Sequence, residues 1–386
     1  MVIVYPVSEP MDVTKARFAQ IAHTAHALAR HGCEVHLLIG RSGNASAVLA
    51  PWELSVVPSL RIRALPLLRR ARWPVSVSWN AVYHVSCLFA VLRLARRTRL
   101  HALYVRHLKL AAFLLRFRAL VGRPIVYEAH ELFFLTANRK ERAARLRALE
   151  ERVFRGVDGI VAITASLKRI IQEQFRPSAP MFVIPDGVAL DRFHPEEWKG
   201  GRTICYVGQL YPWKGVEVLV RAMRYLERET ALVVGGTPDS IESVRALAAA
   251  EGCAERLRFT GQVAPLRVRE FLKGAGVAVL PGTRTWLSEF FTSPLKLFEY
   301  MAAGVPIVAA DLPSVREVLT HDETAVLVAP EDPRALADGI GRVLRDRDLA
   351  LRLRARALEA VERYSWDERA RRLMGALETI LGRGRR

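Results

Sequence analysis

No two cysteines in the sequence stand near one another. The chain has 386 residues and four cysteines, Cys33, Cys87, Cys205 and Cys253, with no Cys-x-x-Cys and no Cys/His spacing. That argues against a disulfide framework and a structural zinc site, and it fits a reducing compartment. Long apolar runs are also missing. The nearest, AVYHVSCLFAVLRLARR from Ala81, is broken by His84 and Arg93, short of the roughly 18 apolar residues of a spanning helix. The first residues, MVIVYPVSEP, lack a basic start and a useful apolar stretch, so they read as a first strand rather than a leader. A soluble, cytoplasmic chain is expected, with peripheral contact at the inner face of the plasma membrane left open.

Acidic residues are few, and unevenly so. Residues 1–190 hold 28 Lys and Arg against 12 Asp and Glu, while residues 191–386 hold 30 against 27. The basic excess therefore belongs to the first half. Solvated arginine-rich helix faces are one reading, and an anionic partner is the other. Arg61, Arg63, Arg69, Arg70 and Arg72 are interleaved with Leu65, Leu67, Leu68 and Trp73, a mixture that suits a lipid surface better than a nucleic-acid groove. No RRM, KH, helix-turn-helix or zinc-finger pattern accompanies it, so no nucleic acid partner is expected.

What the chain does have is alternation. Apolar runs such as VIVY, EVHLLI, ALYV, PIVYE, GIVAI and MFVIP are separated by segments of helical period, Thr14 to Arg30 among them. The pattern pauses at PDGVALDRFHPEEWKGG, read as a linker near 186–200, and restarts with TICYVG, ALVVGG, LRFTG, VAVLP, PIVAA and AVLVA. This predicts two α/β domains of doubly wound parallel sheet, over 1–187 and 188–365. In such sheets ligands bind at loops that follow strands.

Four of those loops carry chemistry. In YVGQLYPWKGVEVLV, Gly208 permits a tight turn, and Lys214-Gly215 opens a helix, a phosphate site in type. Taken alone, an exposed lysine beside a turn glycine fits equally well. In VVGGTPD, Gly235 allows close backbone approach, or is a plain turn. In VYEAHELFF, His130 stands between Glu128 and Glu131 at a strand end, either substrate-facing or structural. In FFTSPLKLFEYMAAGVPIVAA, Ser293 reads as an N-cap and Pro294 as the first helical residue, with Gly304 closing the helix. Lys296 and Glu299 share a face of that helix. A cation near the positive end of a helix dipole does not serve the helix, so an anion is expected beside it.

VGQLYPWKGVEVLVRA, VIPDGVALDRFHP and SPLKLFEYMAAGVPIVAADLPSVREVL, in this order and spacing, resemble the family 4 retaining glycosyltransferases. The resemblance is specific over about 180–365, and LARHGCEVHLL looks like the family's first helix and second strand. It implies the GT-B fold: two Rossmann-like domains facing a cleft, with the helix of about 366–386 returning to the first. It implies transfer of a sugar from a nucleotide-diphosphate donor, UDP favoured over GDP, to a glycan, lipid-linked or small-molecule acceptor hydroxyl with retention. The setting would be polysaccharide, glycolipid or envelope glycan synthesis. No cofactor and no metal are implied.

Position by position, Glu299 matches the glutamate that holds the ribose hydroxyls, Lys214 the lysine on the diphosphate, and His130 the histidine near the transferred sugar. Gly208 and Gly215 match turn positions, and Gly235 and Gly261 end strands on the donor side. The family arginine before the lysine is Gln209 here, and Lys296 is the candidate replacement. The family's upstream glutamate is Phe291 here, with Glu289 close by. Phe291, Thr292, Ser293, Pro294 and Leu295 then take part of the sugar recognition through the backbone. The family's glycine-rich first loop is replaced by VSEPMDVTKAR, where Lys15 and Arg17 are candidate phosphate contacts. With no secure carboxylate nucleophile, retention implies front-face attack, the leaving phosphate oxygen taking the acceptor proton. Two alternatives stand beside this reading. One is a GT-B-like binding subunit without chemistry. The other is an epimerase or phosphorylase on the same plan, with Lys296 as a pyridoxal Schiff-base lysine.

Overall fold

The computed structural model describes residues 1–10, 12, 15–40, 48–67 and 79–383. The chain divides into two compact units, Met1–Pro185 with Trp366–Arg386, and Asp186–Ser365.

The first unit is built on seven strands: β1 (Val2–Val7), β2 (Glu34–Gly40), β3 (Leu60–Leu65), β4 (Ala102–Val105), β5 (Ile125–Ala129), β6 (Gly159–Ala162) and β7 (Met181–Val183). They lie in the order β3-β2-β1-β4-β5-β6-β7, and every pairing is parallel. Short apolar runs suit this arrangement because helices cover both faces of the sheet. Ile3, Val4, Val126 and Ile160 are fully buried. Strand order reverses between β1 and β4, so the loops after those strands flank the crevice where such sheets take ligands.

The second unit has six parallel strands, β8 (Thr203–Val207), β9 (Thr230–Val234), β10 (Leu257–Gly261), β11 (Val277–Leu280), β12 (Ile307–Ala310) and β13 (Val326–Val328), in the order β10-β9-β8-β11-β12-β13. Along β8 the side chains alternate between two cores: Ile204 and Tyr206 join one, Cys205 and Val207 the other. The reversal here lies between β8 and β11. The loops after these two strands are therefore the ones placed for ligand binding.

The helix Trp366–Arg383 belongs to the first unit and packs on the helix Ala16–Arg30. Trp366 stacks on His23 with ring centroids 5.1 Å apart, and Leu373 and Leu377 are fully buried.

Two segments singled out in the sequence take defined structure. Residues 186–200, read as a linker, begin where the two units divide, at Asp186. Val188 N–H donates to Tyr364 O at 2.8 Å, and Trp198 Nε1 donates to Gly276 O at 3.2 Å, so the segment is packed into the second unit. The arginine-rich stretch near residue 61 is in part a strand. Leu60 and Leu65 are buried, while Arg61 and Arg63 are exposed on β3, the sheet edge. Arg61 Nε pairs with Glu34 Oε1 at 3.1 Å. Charges on an edge strand keep another chain from pairing with it, which accounts for these two arginines without a lipid. Leu68, Arg69, Arg70, Arg72 and Trp73 lie outside the described residues.

Candidate functional site

In the second unit the loops after β8 and β11 are locked together by glycine. Gly215 has φ 71°, and a Cβ there would fall 1.7 Å from Pro281 O. No other residue fits that contact. The Trp213 carbonyl accepts from Ser288 Oγ at 2.7 Å and from Thr283 N–H at 3.2 Å, a second tie between the same loops. Gly235 has φ 115°, and a Cβ on it would reach 2.5 Å from Gly208 O, while Gly208 N–H donates to Val234 O at 2.8 Å. The crossing of β8 and β9 is thus also drawn in by glycine.

Two ammonium groups converge in the space that this leaves. A side chain on Gly208 would meet Lys296 Nζ at 3.6 Å and Lys214 Nζ at 3.7 Å. Lys296 Nζ lies over the Tyr206 ring, 4.0 Å from its centroid. Lys214 Nζ lies 5.1 Å from the Trp213 centroid and 5.7 Å from that of Tyr211, whose rings are stacked. Aromatic faces attract cations and replace part of the lost water. Burial lowers Lys214 to about 8. Burial lowers Lys296 well below the usual lysine range, the Lys214 charge lowers it further, and Glu299 pulls the other way. Burial raises Glu299 to about 7, against the pull of Lys296. Two cations and one carboxylate at a sheet's switch point leave an excess of positive charge, which an anion would relieve.

The helix Leu295–Ala303 carries Lys296 and Glu299 and ends at Gly304 with φ 64°. Its start differs from the expectation. Pro294 itself is the cap residue, and no side chain caps the helix. The Ser293 hydroxyl instead accepts from Asp186 N–H at 3.0 Å, tying the first residue of the unit to this loop. Phe291 is buried against Trp286, and its N–H donates to Leu287 O at 3.2 Å, so that backbone donor is engaged within the loop. Thr292 Oγ1 donates to Leu287 O. Glu289 sits in the short helix Trp286–Phe290, and Gln209 uses its carbonyl to accept from Tyr206 O–H at 2.9 Å. Gly261 closes β10 with φ 69°, in a bridge with Gly235.

The other candidates fall in the first unit. Lys15 pairs with Asp12 at 3.0 Å and Arg17 pairs with Glu9, so both proposed phosphate contacts already have acidic partners. His130 follows β5, with its Nε2 3.3 Å from Glu128 Oε1. Sequence reasoning missed one partner there: Arg369, from the last helix, donates to the same carboxylate. It also passed over the triplet Asp346-Arg347-Asp348. Asp346 caps the helix Arg347–Val361, accepting from Leu349 N–H at 2.9 Å. Among the described residues no group of three His, Cys, Asp or Glu side chains is set to hold a metal ion.

A D-inositol 3-phosphate glycosyltransferase of Xylanimonas cellulosilytica is 31% identical over 242 residues, 57% of each chain. A GDP-mannose-dependent alpha-(1-6)-phosphatidylinositol monomannoside mannosyltransferase of Mycobacterium tuberculosis is 28% identical over 243 residues, 59% of this chain and 63% of that one. The match thus spans less than two thirds of these curated relatives. Among solved structures, Anabaena HepE in complex with UDP superimposes with a TM-score of 0.75 at 15% identity, over 98% of this chain and all of that one. The fold is therefore GT-B. The model of Glycosyltransferase Family 4 matches residues 19–192 and that of Glycosyl transferases group 1 matches residues 189–360. The two adjoin across nearly the whole chain, which belongs to the family 4 glycosyltransferases.

Proposed function

We propose that the protein is a retaining hexosyltransferase that takes a sugar from a nucleotide-diphosphate donor, UDP favoured, and passes it to an acceptor hydroxyl. The observation that carries this reading is the meeting of Lys214 and Lys296 over Gly208, with Glu299 on the same helix as Lys296. The diphosphate gains charge as the sugar leaves, and preset cations stabilise a developing charge without reorganising. Lys296 stands in for the arginine that Gln209 replaces. Glu299 accepts from the ribose hydroxyls, as an ionised carboxylate can from two donors. His130 is placed near the transferred sugar, as the resemblance implies. The departing phosphate oxygen takes the acceptor proton, and the two ammonium groups supply the positive charge, so no metal is required.

HepE is described in complex with UDP, whereas the Mycobacterium tuberculosis relative is named for GDP-mannose. Names of the curated relatives that include inositol phosphate and phosphatidylinositol acceptors favour a phosphorylated or lipid-linked acceptor.

Thermal unfolding with a panel of nucleoside diphosphates and nucleotide sugars tests the donor site. A ligand of the folded state at a hundredfold excess over Kd stabilises by about 2.7 kcal/mol. UDP and one UDP-sugar are expected to raise the melting temperature, and Lys214→Ala and Glu299→Ala are expected to abolish the rise. No stabilisation by any of them would end the donor assignment. Binding without transfer or donor hydrolysis would favour the binding-subunit reading.

A further inference from the structure

In the first unit, a buried ion pair joins the last helix to the residue that faces His130. Glu128 and Arg369 are 1% and 3% exposed. Arg369 uses its whole guanidinium. One NH2 donates to Glu128 Oε1, the other to Ile184 O at 2.7 Å and to Pro185 O, and Nε donates to Thr24 Oγ1 at 3.1 Å. Glu128 is met from two more sides. Tyr5 O–H donates to Oε2 at 3.3 Å, and His130 Nε2 lies 3.3 Å from Oε1. Burial alone would push the Glu128 carboxyl up, but His130, Arg369 and Arg106 together hold it below the ordinary range.

A buried arginine with so many acceptors is more than the helix needs for docking, since Trp366, Leu373 and Leu377 already bury its apolar face. Removing water from two charges is costly and is offset only by good geometry and full hydrogen bonding. Here that geometry fixes one carboxylate oxygen, and it is the oxygen beside His130. The bond made by one ring nitrogen of a histidine decides what the other nitrogen presents.

We propose that Arg369 is a positioning residue for His130: by holding Glu128 Oε1 in place, it sets the ring orientation and tautomer in which His130 is presented. The catalytic consequence rests on the assignment of His130 to the transferred sugar; the positioning itself does not.

The test uses the full-length chain and three variants: Arg369→Met, Arg369→Lys, and Glu128→Gln with Arg369→Met. Arg369→Lys keeps a cation beside Glu128, so it carries the test if a lone unpaired Glu128 prevents folding, and the double variant, which removes both buried charges together, separates loss of folding from loss of the pair. The first readout is the ring-nitrogen NMR spectrum of His130, assigned by its loss in His130→Gln. The second is the kinetics of nucleotide-sugar consumption. Arg369→Met and the double variant are expected to change the His130 ring signals, with partial recovery in Arg369→Lys. Misplacement of a group at the reacting centre should lower kcat roughly ten- to hundredfold. KM for the nucleotide sugar should change less than kcat, because the lysines and Glu299 that hold the nucleotide lie in the other unit. Unchanged His130 signals in all variants, with only the melting temperature lowered, would overturn the proposal and leave Arg369 as a helix anchor. Altered signals, in a protein that consumes no nucleotide sugar, would support the positioning and count against the transferase reading.

Discussion

Two amines that lose their protons more readily than usual tie ligand affinity to pH. Lys214 is lowered to about 8, and Lys296 is lowered as well. A diphosphate favours their charged forms, so binding raises both and takes up protons. Affinity for a nucleotide sugar therefore weakens as pH rises and these amines lose their protons: Lys296 is held well below the usual lysine range, and Lys214 follows through about 8. Each unmet proton costs about tenfold per pH unit above that value. Glu299 works from the other side. It is raised to about 7, and its ionised form is the one that accepts ribose hydroxyls, so affinity also falls as pH drops below that. Isothermal titration of a nucleotide sugar from pH 6 to 9.5 should show affinity that falls on the alkaline side as Lys214 titrates through about 8, and on the acid side below about 7 as Glu299 takes a proton. Lys214→Met should flatten the alkaline limb. Lys214 could be singled out because it stands beside Gly215, and Lys296 with Glu299 because a spacing of three puts them on one helix face. Arg369 was not, since nothing local links it to Glu128, 241 positions away.

At the level of elements, glycine decides how closely the two ligand loops can pack. At Gly215 a methyl group meets both a left-handed φ of 71° and the Pro281 carbonyl at 1.7 Å. At Gly261 φ is 69°, yet the nearest atom is Ile241 Cδ1 at 4.0 Å. Gly261→Ala should cost about 1 kcal/mol, the left-handed penalty alone, and Gly215→Ala about 3 kcal/mol or more, since overpacking is added. Chemical denaturation of the two variants checks the difference. Gly215→Ala should also weaken nucleoside diphosphate binding, because Lys214 precedes it. Most strands could be read from their apolar runs, and so could the helix Leu295–Ala303 with its closing glycine. β3 could not, because exposed arginines between buried leucines on a sheet edge look the same in sequence as an interfacial segment. The Ser293 hydroxyl was misread for a similar reason. A serine before Pro-Leu-Lys is a cap by local rules, and only the return of Asp186 to the loop claims its oxygen.

For the molecule as a whole, the charge of the first half has a place to act. The helix Trp79–Arg97 exposes Val85 and Phe89, and the adjoining helix Arg118–Val121 exposes Leu120. Arg93, Arg96 and Arg97 are exposed further along the first of these helices, and Arg116 is exposed just before the second. Exposed apolar side chains on elements that also carry exposed arginines suit an anionic lipid surface. Co-sedimentation with vesicles containing anionic lipid should show binding at low salt that declines as salt screens it. Phe89→Ser with Leu120→Ser should weaken the binding without lowering donor affinity. Indifference to vesicles at low salt would remove lipid docking from the account. Among the described residues no helix is long and apolar enough to cross a membrane. The last helix has a consequence in time as well as in space. The first unit needs residues 366–383 to cover the helix Ala16–Arg30 and to bring Arg369 to Glu128. Those residues are synthesised after the whole second unit, so the part of the chain made first is the last to be finished. Until the ribosome has passed Arg369, Glu128 lacks the guanidinium that donates to it, and the nascent first unit carries an incomplete core while the second folds.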